Sequence, residues 1–93
     1  MFIASIRLEL SIPHAGSLKA KRQVLSSLID RLRVRFGAAV AEVGDQELWQ
    51  RAVVGAALVS GEERHAREMA DKFVGFVESH FEGEVCSIQI EIL

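Results

Sequence analysis

The stretch that decides the fold runs from Ile12 to Phe36 and reads IPHAGSLKAKRQVLSSLIDRLRVRF. It ends a strand, makes a tight connection and begins a long basic helix. Pro13 cannot donate to a β-ladder and so closes the preceding strand. Ser17 is a good N-cap, apolar residues then recur at helical spacing, and Gly37 stands where a helix C-terminus favours glycine. The stretch therefore predicts a strand followed by an amphipathic helix.

The sequence on either side of this stretch predicts three further strands and a second helix. Residues 2–12 alternate between apolar and polar, as expected for a strand with one buried face. Residues 38–43 and 48–60 are apolar runs joined by a short polar loop, which indicates a hairpin. A helical stripe follows Gly61 and ends by Gly83, and residues 84–93 alternate again. In this last strand Cys86 is predicted to face inward as an inert buried thiol, and His80 is placed on the buried stripe of the second helix.

The predicted order, β-α-β-β-α-β, is that of the ferredoxin-like α+β fold. Right-handed crossovers place both helices on one face of a four-stranded antiparallel sheet, with the first and third strands in the centre. At 93 residues the chain is expected to form a single domain, 1–93.

Composition limits the classes of function. The formal net charge is −2, so nucleic-acid binding would have to rest on a local basic patch. The single cysteine excludes an intrachain disulfide and a cysteine-cluster metal site. The longest apolar run, residues 52–59, is far below the roughly 20 residues that span a bilayer. The N-terminus lacks the basic region of a signal peptide, and we expect a cytoplasmic protein without membrane, metal or cofactor partners.

The leading site hypothesis is an anion- or RNA-binding surface on the first helix. Free N–H groups at a helix N-terminus favour anions, and cations gathered there oppose the macrodipole, which is a mild local conflict that points to function. The alternative for the same residues is a capped helix whose charges only keep it soluble. The candidate residues are Ser17, Lys19, Lys21, Arg22 and Arg33, together with Arg51.

A second hypothesis is self-association through the open sheet face or an edge strand. That face is expected to mix polar and apolar residues, as interaction surfaces do. Arg7, Glu9, Trp49 and Val53 represent it. Base stacking on the sheet, as in RNA-recognition domains, is disfavoured because Trp49 is the only aromatic residue assigned to this face and lies at a strand end.

No catalytic residue is assigned. His14, His65 and His80 lack metal-ligand spacing, and the acidic residues are dispersed. An enzyme would need His14, Glu42, Trp49 and Arg51 to converge in one cleft, and we predict that the protein is not an enzyme.

Three sequence blocks carry a family resemblance. SLKAKRQVLSSLIDRLRVRF, VAEVGDQELWQRAVVGAALVS and the terminal IEIL resemble the YlxP-like family of small bacterial proteins of unknown function. Members of that family resemble one another around Ser17, Leu18, Lys19, Lys21, Arg22, Glu42, Trp49, Gln50, Arg51 and Ala52. Ala20 and Gly44 depart from the expected pattern at positions that tolerate change.

The resemblance implies a ferredoxin-like fold but no activity, cofactor or catalytic residue. The family's genes commonly lie beside those for transcription elongation and translation initiation factors, which implies an association with RNA or the ribosome. The leading interpretation is therefore an RNA- or ribosome-associated accessory factor. The alternative is a self-associating interaction module, as a homodimer, without RNA binding or catalysis.

Overall fold

The computed structural model describes residues 1–93 and has the predicted order of elements. The strands are β1 (Phe2–Ser11), β2 (Ala39–Gly44), β3 (Arg51–Ser60) and β4 (Glu84–Ile92); the helices are α1 (Leu18–Phe36) and α2 (Glu63–His80). The ferredoxin-like prediction is confirmed.

All strand pairs are antiparallel, and the sheet order is β2-β3-β1-β4. β1 and β3 are therefore central, as predicted. Their register runs without interruption from Phe2 opposite Ser60 to Ser11 opposite Arg51. β2 and β4 form the two edges of the sheet.

The signals at both ends of α1 have the predicted effect. The Ser17 hydroxyl accepts a hydrogen bond from the Ala20 N–H at 3.0 Å, which satisfies a free donor of the first turn. Gly37 adopts φ 60°, and its N–H donates to the Arg33 carbonyl. This left-handed cap ends the helix and turns the chain towards β2.

The hydrophobic core lies between the sheet and the helices and contains 23 buried residues. It includes the even-numbered residues of β1 from Ala4 to Leu10, because successive side chains of a strand point to opposite faces. Leu32 of α1 and Phe73 of α2 are fully buried above them. Neither helix is long and apolar enough to cross a membrane.

The environment of Cys86 differs from the prediction. Cys86 is exposed, because a bulge in the β1–β4 pairing shifts the register between Glu9 and Leu10. Leu10 is opposite Val85 whereas Leu8 is opposite Ile88, so the inward position near the start of β4 belongs to Val85. Ile90 and Ile92 pack against the core as predicted, whereas Ile88, predicted to face inward, is 43% exposed.

His80 was also predicted incorrectly as a core residue. It is the last residue of α2 and is exposed. Its ring stacks on Phe76 with centroids 4.2 Å apart, so the imidazole covers the core from outside.

Candidate functional site

Lys21 is the one buried charged residue of the protein, with a fully inaccessible side chain. It lies four residues before Leu25 and seven before Leu28, the spacing of residues that share one helix face. α1 thus directs an ammonium group towards the sheet. The prediction that Lys21 contacts RNA is wrong for this structure, because no ligand can reach the side chain.

The Lys21 ammonium is surrounded by acceptors from the β2–β3 hairpin. Its Nζ donates to the carbonyls of Asp45 at 2.8 Å, Gln46 at 3.2 Å and Arg51 at 3.2 Å. The Glu42 Oε2 atom lies 3.0 Å from the same nitrogen. An ammonium has three N–H donors, and three carbonyls occupy them. Glu42 Oε2 has no hydrogen-bond partner of its own, so the carboxylate balances the lysine by charge.

The carbonyls converge on Lys21 because the hairpin connection has an unusual backbone. Asp45 has φ 56°, in the left-handed region that Asp tolerates better than most residues. The Asp45 carbonyl also accepts from the Leu48 N–H at 3.0 Å. A bulge between Glu42 and Gly44 precedes this turn. Lys21 therefore holds the loop of residues 45–50 in place through hydrogen bonds to main-chain carbonyls of the loop.

Gln50 ties the other end of the loop to the connection between β1 and α1. Its side-chain amide donates to the carbonyls of Pro13 at 3.1 Å and Ala15 at 3.2 Å. The Gln50 carbonyl accepts from the Ile12 N–H at 2.9 Å. The two most distinctive blocks of the sequence, around Lys21 and around Gln50, thus meet in space. We call this arrangement of Lys21, Glu42, Gln50 and the loop carbonyls the lysine clamp.

The clamped loop carries two exposed apolar side chains. Leu48 is 49% exposed and Trp49 is 54% exposed. β3 was predicted to begin at Leu48, whereas it begins at Arg51, so Trp49 lies outside the sheet.

The other predicted RNA-binding residues lie around the clamp. Lys19 and Arg22 are exposed on α1 and have no carboxylate within 4.0 Å. Arg22 lines a groove between α1 and β2 together with Arg33 and Glu42. Arg51 is exposed at the start of β3.

Two of the predicted anion-binding residues have structural partners within the chain. The Ser17 hydroxyl caps α1. The Arg33 guanidinium donates to the Val40 carbonyl at 2.7 and 3.2 Å and lies 3.7 Å from Asp30. Arg33 therefore attaches the end of α1 to β2, although its side chain is 54% exposed.

Of the predicted interaction residues, Arg7, Glu9 and Val53 lie together on the open sheet face, where Val53 is opposite Glu9, whereas Trp49 lies outside the strands. Arg7 and Glu9 pair with each other at 3.0 Å on β1. Val53 is on the predicted face but is only 3% exposed, so its side chain is not accessible to a partner. The β2 bulge brings Gly44 against it: a Cβ on Gly44 would lie 3.2 Å from the Val53 side chain.

The residues considered for a catalytic cleft pair with different partners. His14 Nε2 lies 3.6 Å from a carboxylate oxygen of Glu82, whereas Glu42 faces Lys21. Trp49 is on the loop surface. No group of three or more His, Cys, Asp or Glu side chains is placed to hold a metal ion.

A cluster of cations on the other flank of α1 was not singled out from the sequence. The guanidinium of Arg35 lies 4.9 Å and that of Arg31 5.3 Å from the centroid of the Phe76 ring, on which His80 also stacks. The i, i+4 spacing of Arg31 and Arg35 can be read from the sequence, but it does not reveal their partner Phe76, which belongs to α2. Only the packing of the helices brings them together.

The fold of this chain is shared with designed proteins of the ferredoxin type. The model is similar to the solution NMR structure of the de novo designed protein LFR1 1 with ferredoxin fold, with TM-score 0.55 and 9% identity, covering 100% of this chain and 84% of that one. The de novo designed protein Ferredog-Diesel gives TM-score 0.52 and 13% identity over 96% and 83% of the two chains. These likenesses concern the fold alone.

The chain belongs to the family described as Protein of unknown function (DUF503), whose model matches residues 3–90. It is 36% identical over 71 residues to the Uncharacterized protein YlxP of Bacillus subtilis (strain 168), covering 76% of this chain and 77% of that protein. The YlxP-like resemblance is thereby confirmed.

Proposed function

We propose that this protein contacts the phosphate backbone of structured RNA, free or within the ribosome, through the flank of α1 that carries Lys19 and Arg22. The observation that supports this most is the separation of charge. α1 contains six of the chain's 11 Lys and Arg residues and only one of its 13 Asp and Glu residues. An acidic protein with a basic helix can attract a polyanion locally in spite of its net charge.

Burial decides which of these cations take part. Lys21 is neutralised by Glu42 and inaccessible, so it adds nothing to the field at the surface. Lys19, Arg22 and Arg51 are exposed and have no carboxylate partner, and Arg33 keeps about half of its side chain exposed. Since the clamp joins α1 to β3, Arg51 is held at the same end of the fold as Lys19 and Arg22.

The test is the binding of a fluorescently labelled RNA hairpin, followed by anisotropy at 50 and 200 mM salt. We expect the wild-type affinity to fall steeply with salt, since phosphate contacts release counterions. The variant K19Q/R22Q should bind more weakly at both salt concentrations, and the salt slope should drop by about one for each lost contact.

R64Q/R67Q, which removes the same charge from exposed positions of α2, is the matched control and should bind like the wild type. Equal weakening in both variants, or none in K19Q/R22Q, would contradict the proposal.

A second candidate function is self-association through β4, and the difference between the two sheet edges favours it. On β2 the carbonyl of Val40 accepts from Arg33 and that of Glu42 accepts from Gln46 at 3.5 Å, so the chain blocks its own edge. On β4, Ile3 and Leu93 exchange two hydrogen bonds. By antiparallel alternation, the N–H and C=O groups of Ile88 and Ile90 then point away from β1.

An open row of this kind is a template for a second strand. Ile88, 43% exposed on the same edge, would gain cover from a second copy. Sedimentation velocity of the wild type and two variants tests dimerisation through β4. I88K changes the β4 edge, and V43K is the matched control at an exposed position of β2. A dimer that I88K dissociates and V43K preserves supports β4 pairing, and a wild-type monomer at millimolar concentration excludes it.

A further inference from the structure

The buried ion pair of Lys21 and Glu42 holds a loop in place rather than the core. Burying an ammonium and most of a carboxylate carries a large desolvation penalty, which good geometry only offsets. Here the Lys21 ammonium makes all three of its hydrogen bonds to loop or strand carbonyls, and Gln50 adds two more from the loop to the β1–α1 connection. The result is a fixed loop whose own side chains Leu48 and Trp49 remain in solvent.

An exposed indole on an anchored loop is suited to ligand binding. The backbone that carries it is held before any partner arrives, so less conformational entropy is lost on contact. Tryptophan also has the largest aromatic face of the side chains, and base–aromatic stacking needs no particular base.

The surroundings of Trp49 indicate the chemistry of its partner. Arg51 follows it by two residues, and the Arg51 carbonyl lies 3.2 Å from the Nζ of Lys21. Lys21 in turn stands between Lys19 and Arg22, which are exposed and unpaired. The indole therefore lies at the end of the molecule that carries Lys19, Arg22 and Arg51, where the exposed carboxylates of Asp45 and Glu47 also lie. None of the three cations is paired with a carboxylate within 4.0 Å. An exposed apolar ring at the same end as three unpaired cations suits a nucleotide, which has a flat base and an anionic phosphate.

We propose that Trp49 stacks on an unpaired base of a single-stranded RNA segment, while Lys19, Arg22 and Arg51 contact the flanking phosphates. This rests on the proposed function and adds a class of ligand to it, because a duplex offers phosphates but no free base face. The β-sheet takes no part in the stacking, since Trp49 lies outside the strands.

Intrinsic fluorescence tests the stacking of Trp49 directly. Trp49 is the single tryptophan of the chain, and tyrosine is absent, so the intrinsic fluorescence reports on this side chain alone. We would titrate the wild type with a 12-nucleotide oligouridylate and with an abasic phosphodiester of the same length. Stacking predicts saturable quenching by the oligouridylate and little quenching by the abasic strand.

Two variants separate this inference from the proposed function. W49L keeps an apolar side chain at an exposed position and should weaken binding of labelled oligouridylate about 5- to 150-fold, the range expected for one stacked base. It should leave binding of the labelled abasic strand unchanged, whereas K19Q/R22Q should weaken both. L48A is the control for loss of a neighbouring apolar group and should bind like the wild type.

Equal affinity of W49L and the wild type for the oligouridylate, or equal quenching by both strands, would overturn base stacking and leave backbone binding intact. Binding of neither strand would likewise overturn base stacking, whereas the proposed contact with structured RNA is refuted only if the RNA hairpin also fails to bind.

Discussion

The Nζ atom of Lys21 lies 3.0 Å from the Oε2 atom of Glu42, joining the first turn of α1 to the edge strand β2. The lysine side chain is fully buried and the glutamate side chain is 18% exposed. Both charges of such a pair are needed. Removing one partner leaves the other as a buried charge without compensation, which is strongly destabilising. Lys21 and Glu42 therefore have a structural role, whereas the exposed cations Lys19 and Arg22 beside them remain free to bind a ligand.

Replacing Lys21 by Met should reduce the free energy of unfolding by about 3–5 kcal/mol, the usual cost of breaking a buried ion pair. Two loop carbonyls and that of Arg51 in β3 lose their donor, and the Glu42 carboxylate is left without a counter-charge. Urea denaturation measures the loss.

The matched control is K19M, at an exposed position two residues away, which should change the stability by less than about 0.5 kcal/mol. The double variant K21M/E42L should recover part of the loss, since it removes the orphaned charge. Similar stabilities for K21M and K19M would show that the clamp is not formed in solution.

Two glycines should respond oppositely to alanine. A Cβ on Gly83 would collide with the Ser11 carbonyl and the Phe81 ring, so G83A should destabilise the protein strongly. Gly75 lies within α2 with open space around it, and G75A should raise stability by about 0.5–1 kcal/mol through helix propensity. Thermal unfolding of the two variants is the measurement, and a stable G83A would refute the close approach of β1 to the start of β4.

Cys86 should react with a thiol reagent such as Ellman's reagent while the protein is folded. The thiol is exposed because the bulge in the β1–β4 pairing turns it away from the core. We expect native protein to react within about tenfold of the rate in urea, because reactivity follows access. Protection by several orders of magnitude would mean that β4 has the unbulged register, with Cys86 facing inward.

Removing the N-cap hydroxyl of α1 should cost about 1 kcal/mol in S17A, because the Ala20 N–H loses its acceptor. S27A, at an exposed position within the same helix, is the control and should be neutral or slightly stabilising. Urea denaturation of the two variants separates a capping role for Ser17 from a role in ligand binding alone.

The elements of the fold could be predicted because their signals are local. The alternation of residues predicts the strand β1, Ser17 predicts the start of α1 and Gly37 predicts its end. The structure confirms all three. The two bulges could not be found this way, because an inserted residue leaves the pattern of apolar residues almost unchanged. They account for the error at Cys86 and for the unexpected burial of Val53.

The candidate site was predicted less well, because charge alone does not reveal burial. Lys21 was grouped with Lys19 and Arg22 as a surface cation, although its spacing from Leu25 and Leu28 places it on the buried face. The missing information was its partner: Glu42 and three carbonyls from residues 45–51 come into reach only when the hairpin packs against α1. The arginines at positions 31 and 35 were likewise separated in sequence from Phe76.

Lys21 immobilises the loop that carries Trp49, and backbone order parameters from ¹⁵N relaxation test this most directly. Residues 45–50 would be compared with the strand β3 in the wild-type protein, and the Trp49 indole N–H supplies a resolved side-chain probe. The lysine clamp predicts S² of about 0.85 for the loop, equal to that of the strand. Values below about 0.6 for the loop beside a rigid β3 would contradict it.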